Sequence, residues 1–104
     1  MSRLKILLIS SAAAATLFAA IAPAAAYSGQ ELAKHANVSI EQARAIALKA
    51  HPGTITDEEL EKEKGGSGLR YSFDVKHRNV TYELGVDAQS GKVLENNKEG
   101  PNPD

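Results

Sequence analysis

Alternating apolar and polar residues predict β-strands in the second half of the chain. Apolar side chains occupy every second position over residues 69–75 and again over residues 80–86, the period of a strand with one buried face. Residues 76–79 between them predict a hairpin connection. Residues 87–91 predict an Asx-capped turn, in which an Asp side chain accepts hydrogen bonds from the turn's own backbone. A third short strand, residues 92–96, completes the pattern.

A helix is predicted before these strands. Ser39 and Gln42 fit a capping box, in which each side chain accepts the backbone N–H of the other residue. Small apolar residues then recur at the spacing of one helix face, at Ile40, Ala43, Ile46, Ala47 and Ala50. We expect the charged residues of this segment to face away from the core; they are Glu41, Arg44 and Lys49. The His-Pro-Gly sequence at residues 51–53 predicts the end of the helix.

Residues 54–64 fit either a helix or a strand. A second possible capping box within them favours a helix. However, only Ile55 and Leu60 could anchor it, and the glycine-rich loop at residues 65–68 is typical of a wide hairpin connection. We therefore predict an edge strand with a β-bulge between Ile55 and Leu60, because these two residues have opposite parity. The glycine-rich loop is expected to be flexible.

Acidic residues alternate along this predicted edge strand, at Asp57, Glu59, Glu61 and Glu63. Charge on an edge strand commonly protects it against unwanted pairing, so a solvated edge is one interpretation. The other interpretation is a partner-binding edge, to which an extended partner adds as a strand. The backbone would then supply affinity, and the carboxylates would select a basic or metal-carrying partner.

The first 26 residues have the order of a secretory signal peptide. A basic start is followed by an apolar run over residues 6–21, and small residues precede a predicted cleavage between Ala26 and Tyr27. A membrane anchor is the competing interpretation, but a spanning helix needs about 20 apolar residues and this run is shorter. We therefore expect a secreted or periplasmic protein with no stable membrane insertion after cleavage.

The rest of the chain is expected to form one small domain. A length of 104 residues allows a single core, which we place at residues 38–97. Residues 27–37 are predicted to be a mobile or docked N-terminal lead-in. Residues 98–104 are predicted to be a flexible tail.

The composition argues against several classes of function. Lys and Arg number 12 against 13 Asp and Glu, so no basic excess indicates nucleic-acid binding. Cys is absent, which excludes disulfides, thiolate nucleophiles and cysteine zinc sites. His35, His51 and His77 lack the spacing of a metal site, and no Ser lies in a nucleophile elbow. We expect no cofactor, no metal site and no catalytic activity.

Four segments together resemble the PepSY domain family. They are IEQARAIALKAHPG (residues 40–53), EELEKE (58–63), LRYSFDV (69–75) and YELGVDAQSGKVLE (82–95). The resemblance covers residues 38–97 and implies a helix laid across an antiparallel sheet. It also implies a domain of bacterial secreted and envelope proteins, including propeptides of thermolysin-type metalloproteases, for which restraint of the peptidase has been proposed. No protease follows the domain in this sequence, so we expect any inhibition to act in trans.

These observations define one expected fold and two hypotheses about function. The expected fold is α+β, with one main helix packed on a small antiparallel β-sheet of three to four strands, after a cleaved signal peptide. The leading hypothesis is a non-catalytic binding domain that holds an envelope protein, such as a peptidase that it restrains. The alternative is a periplasmic sensor or buffer for a small ligand or metal ion, which would use the acidic edge and exposed His residues.

Overall fold

The computed structural model describes residues 26–100. Most of the predicted signal peptide and residues 101–104 of the predicted tail lie outside the described residues. The elements are a short 3-10 helix Gln30–His35, helix α1 Ile40–Ala50, and strands β1 Thr54–Lys62, β2 Leu69–His77, β3 Val80–Asp87 and β4 Val93–Lys98. Among residues 26–100, no helix is both long and apolar enough to cross a membrane. The predicted α+β fold is confirmed.

Helix α1 begins and ends where the sequence predicts. The side chain of Ser39 accepts the N–H of Gln42 at 3.1 Å, and Gln42 Oε1 accepts the N–H of Ser39 at 2.8 Å. At the other end, His51 is extended and its N–H donates to the carbonyl oxygen of Ala47 at 2.8 Å. The capping box therefore satisfies backbone groups that a helix start leaves without a partner.

The four strands form an antiparallel meander in the order β1-β2-β3-β4. Strands β2 and β3 are joined at Arg78 and Asn79, whose φ angles are 54° and 65°. Positive φ at both turn residues gives a twist that suits a two-residue hairpin. Strand β4 runs to Lys98, and the N–H of Glu99 donates to the carbonyl oxygen of Thr81 at 2.8 Å. The chain therefore stays paired beyond residue 96, the predicted strand end, because ladder hydrogen bonds do not depend on apolar side chains.

Residues of the ambiguous segment form edge strand β1, as predicted. The register with β2 shifts between Ile55 and Asp57, so the predicted bulge is present. Ile55 pairs with Val75 and Leu60 pairs with Tyr71, which places both on the helix side of the sheet. Pairing with β2 satisfies the backbone and buries Leu60, and this outweighs the local preference for a helix.

The prediction that Arg44 faces away from the core is wrong. Its Nε and Nη2 atoms donate to the two carboxylate oxygens of Glu58, each at 2.8 Å. Glu58 lies after the bulge and pairs with Phe73, so it is on the helix side of β1. The ion pair therefore joins α1 to β1, and a helical pattern alone could not predict it because it depends on the bulge.

The hydrophobic core lies between α1 and one face of the sheet. Its buried residues are Ile40, Ala43, Ala47, Leu60, Leu69, Tyr71, Phe73, Val75, Leu84, Val86 and Ala88. Tyr71 is fully buried, and its hydroxyl donates to the carbonyl oxygen of Val38 at 2.7 Å. This bond fixes the segment before α1 against the sheet and gives the phenol a partner inside the core.

Buried Asp87 connects two loops at one end of the sheet. Its Oδ2 accepts the N–H groups of Gln89 and Ser90 at 3.1 and 2.9 Å, which confirms the predicted Asx turn. Its Oδ1 accepts the N–H and the hydroxyl of Ser67 at 2.7 and 2.8 Å. Burial opposes the charge of Asp87, but these hydrogen bonds outweigh burial and hold its pKa well below the usual range. Ser67 belongs to the glycine-rich loop, so the loop that was predicted to be flexible is attached to Asp87 at this residue.

Candidate functional site

Carboxylates from all four strands lie on the sheet face opposite α1. They line a concavity of about 420 Å³. The acidic residues around it are Asp57, Glu59, Glu61, Glu63, Asp74, Glu83, Glu95 and Glu99. We call this surface the acidic face. Among the described residues that line it, Arg70 is the one Lys or Arg.

Three of these carboxylates form a row across three strands. Asp57 pairs with Asp74, and Asp74 in turn pairs with Glu83. Burial, followed by the charge of Asp57, raises the pKa of Asp74. Like charges directly opposite one another destabilise a sheet, and this face is not the one that packs on α1. The row is therefore a feature that stability of the fold does not explain.

Glu59 and Glu61 are neighbours on this face, and their carboxyl groups are hydrogen-bonded to each other. That bond, followed by burial and the charges of nearby acids, raises the pKa of Glu59 to about 7. The same bond lowers the pKa of Glu61 against the effect of burial, and the Ser72 hydroxyl helps by donating to Glu61 Oε2 at 2.7 Å. Because the neighbouring carboxyls raise the pKa of Glu59, an approaching cation would favour loss of its proton.

Arg70 is already engaged by groups around the acidic face. Its Nη1 donates to Glu95 Oε1 at 3.2 Å, and its Nη2 donates to the carbonyl oxygen of Lys64 at 3.3 Å. A Cβ on Gly85 would stand 3.1 Å from Nη1, so the glycine in β3 leaves room for Arg70 to reach β4. Its buried Nε has no hydrogen-bond partner among the described residues. One guanidinium therefore offsets only part of the negative charge.

The predicted site residues all lie on the acidic face. Asp57, Glu59 and Glu61 belong to β1, and Glu63 follows directly after it. The sequence did not identify the carboxylates of the other strands as part of the same surface; these are Asp74, Glu83, Glu95 and Glu99. Strand alternation can place a residue on one face, but the cross-strand register is needed to bring it beside β1. The role of this edge in binding a partner stays a prediction.

The outer edge of β1 is partly occupied by the chain itself. Ser28 forms a parallel bridge with Glu59, and the N–H of Leu60 donates to the carbonyl oxygen of Ser28 at 2.8 Å. The lead-in is therefore docked, which was one of its two predicted states. An added strand could not use the N–H of Leu60 while Ser28 holds it.

Two of the three His residues lie close together. His51 stacks on Tyr82 with ring centroids 3.7 Å apart, and its centroid is 6.0 Å from that of His77. The end of α1 and the β2–β3 hairpin create this approach, which the sequence spacing did not indicate. Within residues 26–100, no group of three or more His, Asp or Glu side chains is placed to hold a metal ion.

Comparison with known proteins identifies the family. A search of curated proteins gives no match, and a search of solved structures gives none. The family model of the peptidase propeptide and YPEB domain, PepSY, matches residues 37–97. This match covers the helix, all four strands except the last residue of β4, and the predicted site residues. The chain belongs to the PepSY family.

Proposed function

We propose that this protein is a non-catalytic binding module, secreted or periplasmic, whose acidic face holds a positively charged surface of a partner protein. The first candidate for that partner is a peptidase that the module restrains. The family description, which names peptidase propeptides, supports a peptidase. The predicted signal peptide of residues 1–26 supports export.

The row Asp57, Asp74 and Glu83 carries this proposal. Its members oppose one another across the sheet, the charge of Asp57 raises the pKa of Asp74, and like charges in directly opposed positions disfavour pairing. Lys or Arg side chains of a partner would lower that repulsion at the moment of binding. Complementary charge of this kind also steers encounter and rejects partners of the wrong sign.

A capture experiment tests the proposal. The chain from Tyr27 to Asp104 is immobilised and exposed to an envelope extract, and retained proteins are identified by mass spectrometry and assayed for peptidase activity. The paired variant Glu59→Gln/Glu61→Gln removes two carboxylates from the acidic face. The control Glu31→Gln/Glu41→Gln removes two exposed carboxylates that do not line it.

We expect the wild-type chain and the control to retain a peptidase and to inhibit it. The Glu59→Gln/Glu61→Gln variant should release that peptidase at lower salt, because it has lost charge at the contact. Equal retention by both variants would contradict the acidic face as the binding surface. A thermal shift with a divalent metal, and no retained peptidase, would favour the sensor hypothesis instead.

A further inference from the structure

The N-terminal lead-in lies on the outer edge of β1, where an added strand would have to pair. The inner edge of β1 is hydrogen-bonded to β2. On the outer edge, Ser28 bridges to Glu59 in the parallel direction and accepts the N–H of Leu60. The chain itself therefore occupies part of this edge with the backbone of Ser28.

Close approach of this segment depends on Gly29. Its φ is +83°, a conformation that other residues rarely adopt, and a Cβ at this position would overlap the carbonyl oxygen of Leu60. Gly29 also begins the 3-10 helix, since its carbonyl oxygen accepts the N–H of Leu32 at 2.9 Å. Any larger residue at position 29 would have to move the segment away from β1.

The contacts that hold this segment are shallow. We call residues 27–34 the strap. The 3-10 helix Gln30–His35 has no buried residue and no side-chain N-cap. The Tyr27 ring lies 6.4 Å from the Tyr71 ring, and the Tyr27 N–H donates to Gln30 Oε1 at 3.2 Å. Tyr27, Leu32 and Ala33 pack against the core but stay only partly buried, and a segment without a fully buried side chain belongs to the less stable part of a structure.

The chain after the strap is fixed much more firmly. A side-chain N–H of Gln89 donates to the carbonyl oxygen of His35. The N–H groups of Asn37 and Val38 both donate to the carbonyl oxygen of Ala88, at 3.0 and 2.9 Å. Displacement of the strap would therefore end near His35 and leave α1 and the sheet in place.

We propose that the strap is a displaceable occupant of the β1 edge, and that an extended basic segment of the partner takes its place by strand addition. This inference rests on the proposed function. The freed N–H of Leu60 would donate to the incoming backbone. Asp57, Glu59 and Glu61 alternate along β1 on the acidic face, so they would lie beside every second side chain of the added strand and select Lys or Arg there.

The test compares two Gly→Ala variants of the chain from Tyr27 to Asp104. Gly29→Ala should expel the strap, whereas Gly100→Ala is the control because a Cβ on Gly100 meets nothing within 4 Å. The probe is a synthetic peptide of alternating Thr and Lys, and the reverse-charge peptide of alternating Thr and Glu checks the sign. Hydrogen exchange at the Leu60 amide reports whether the strap is docked.

We expect Gly29→Ala to speed hydrogen exchange at the Leu60 amide and to bind the Thr-Lys peptide about tenfold more tightly than wild type. A factor of about ten follows if the strap leaves the β1 edge free in about a tenth of the wild-type molecules. The Gly100→Ala control should match wild type. A chain that begins at Gln30 removes the bridge by deletion and should show the same gain. This shortened chain tests the inference even if the Leu60 amide of Gly29→Ala stays protected from hydrogen exchange.

Equal affinity of the wild-type and strap-free chains for the Thr-Lys peptide would overturn the strap inference and leave binding on the acidic face intact. Failure of every chain to bind that peptide would instead contradict the proposed function. Equal binding of the Thr-Glu peptide would contradict charge selection by β1.

Discussion

Gly66 lies so close to Asp87 that a Cβ on Gly66 would stand 2.5 Å from Asp87 Oδ1. The same carboxylate oxygen accepts the N–H and the hydroxyl of Ser67. A backbone without a side chain at position 66 therefore allows the β1–β2 loop to close over Asp87. The contact with Asp87 and the positive φ angles explain why the loop is rich in glycine.

Substitution of Gly66 by Ala should destabilise the protein more than substitution of Gly68. Backbone conformation alone predicts that Gly68→Ala costs as much stability as Gly66→Ala or more. The φ angle is +54° at Gly66 and +93° at Gly68, and Ala adopts a φ of +93° less readily than one of +54°. A Cβ on Gly68 meets nothing within 4 Å. We expect a loss of about 1 kcal/mol for Gly68→Ala and of about 2–3 kcal/mol for Gly66→Ala, since it disturbs bonds to a buried carboxylate. Urea unfolding measures both; equal losses would contradict the contact.

Replacement of Asp87 by Asn should cost about 2–3 kcal/mol, because one carboxylate oxygen becomes an N–H₂ group that faces N–H donors. The midpoint of thermal unfolding should fall by roughly 10 °C or more for a domain of this size. The folded pKa of Asp87 is lowered, so its stabilisation is present above the ordinary value of 3.8 and is lost as the pH falls. Wild type should therefore lose more stability than Asp87→Asn between about pH 5 and pH 3.

Asp74→Asn is the matched control for this prediction. Burial and the charge of Asp57 raise the pKa of Asp74, so removal of its charge relieves repulsion. We expect Asp74→Asn to leave the thermal midpoint unchanged or to raise it by a few degrees. A fall comparable to that of Asp87→Asn would show that the carboxylate row supports the fold.

The raised pKa of Glu59 should make the protein less stable as the pH rises from about 4.5 to about 7. The pKa of Glu59 is raised from 4.5 to about 7, so the folded state keeps a proton that the unfolded state loses across this interval. Stability is thus fully present below about pH 4.5 for this group and declines up to about pH 7. The urea midpoint of unfolding, measured at several pH values between about 4.5 and about 7, should fall less with rising pH in Glu59→Gln than in wild type. Glu31→Gln, on the exposed 3-10 helix, should leave the decline in place.

Removal of the Glu58 charge should loosen α1 from β1. The Arg44–Glu58 pair is bidentate at 2.8 Å, with side-chain exposures of 26% and 18%. We expect Glu58→Gln to cost about 1–2 kcal/mol, between the values for exposed and buried pairs. Glu41→Gln, an exposed change in the first turn of α1, should cost only about 0.3 kcal/mol. Hydrogen exchange in α1 should rise with Glu58→Gln; an unchanged rate would contradict the link between helix and sheet.

The elements of the fold could be predicted because each has a local signal. The Ser39 capping box, the strand alternation and the Asx turn at Asp87 act over a few residues, and the structure contains all three. The choice of a strand for β1 depended on a global argument, namely that its apolar residues are too few to anchor a helix. The bulge then followed from the parity of Ile55 and Leu60.

The acidic face could be predicted only in part because register is not a local property. Alternation places Asp74 and Glu83 away from the core, but only the ladder puts them opposite each other and beside Asp57. The Arg44–Glu58 pair was missed for a related reason, since the bulge turns Glu58 toward α1. The bridge from Ser28 to Glu59 joins residues far apart in the sequence and has no local signal.

The most direct test of the central claim is to map where a basic ligand binds on the isotope-labelled chain from Tyr27 to Asp104. NMR spectra recorded during titration with the Thr-Lys peptide report the amides whose environment changes. Our account predicts shifts at Asp57, Asp74 and Glu83 on the acidic face and at Leu60 on the edge of β1, which weaken as salt is added and are reduced in Glu59→Gln/Glu61→Gln. Shifts confined to the α1 side of the sheet, or binding that salt does not affect, would contradict it.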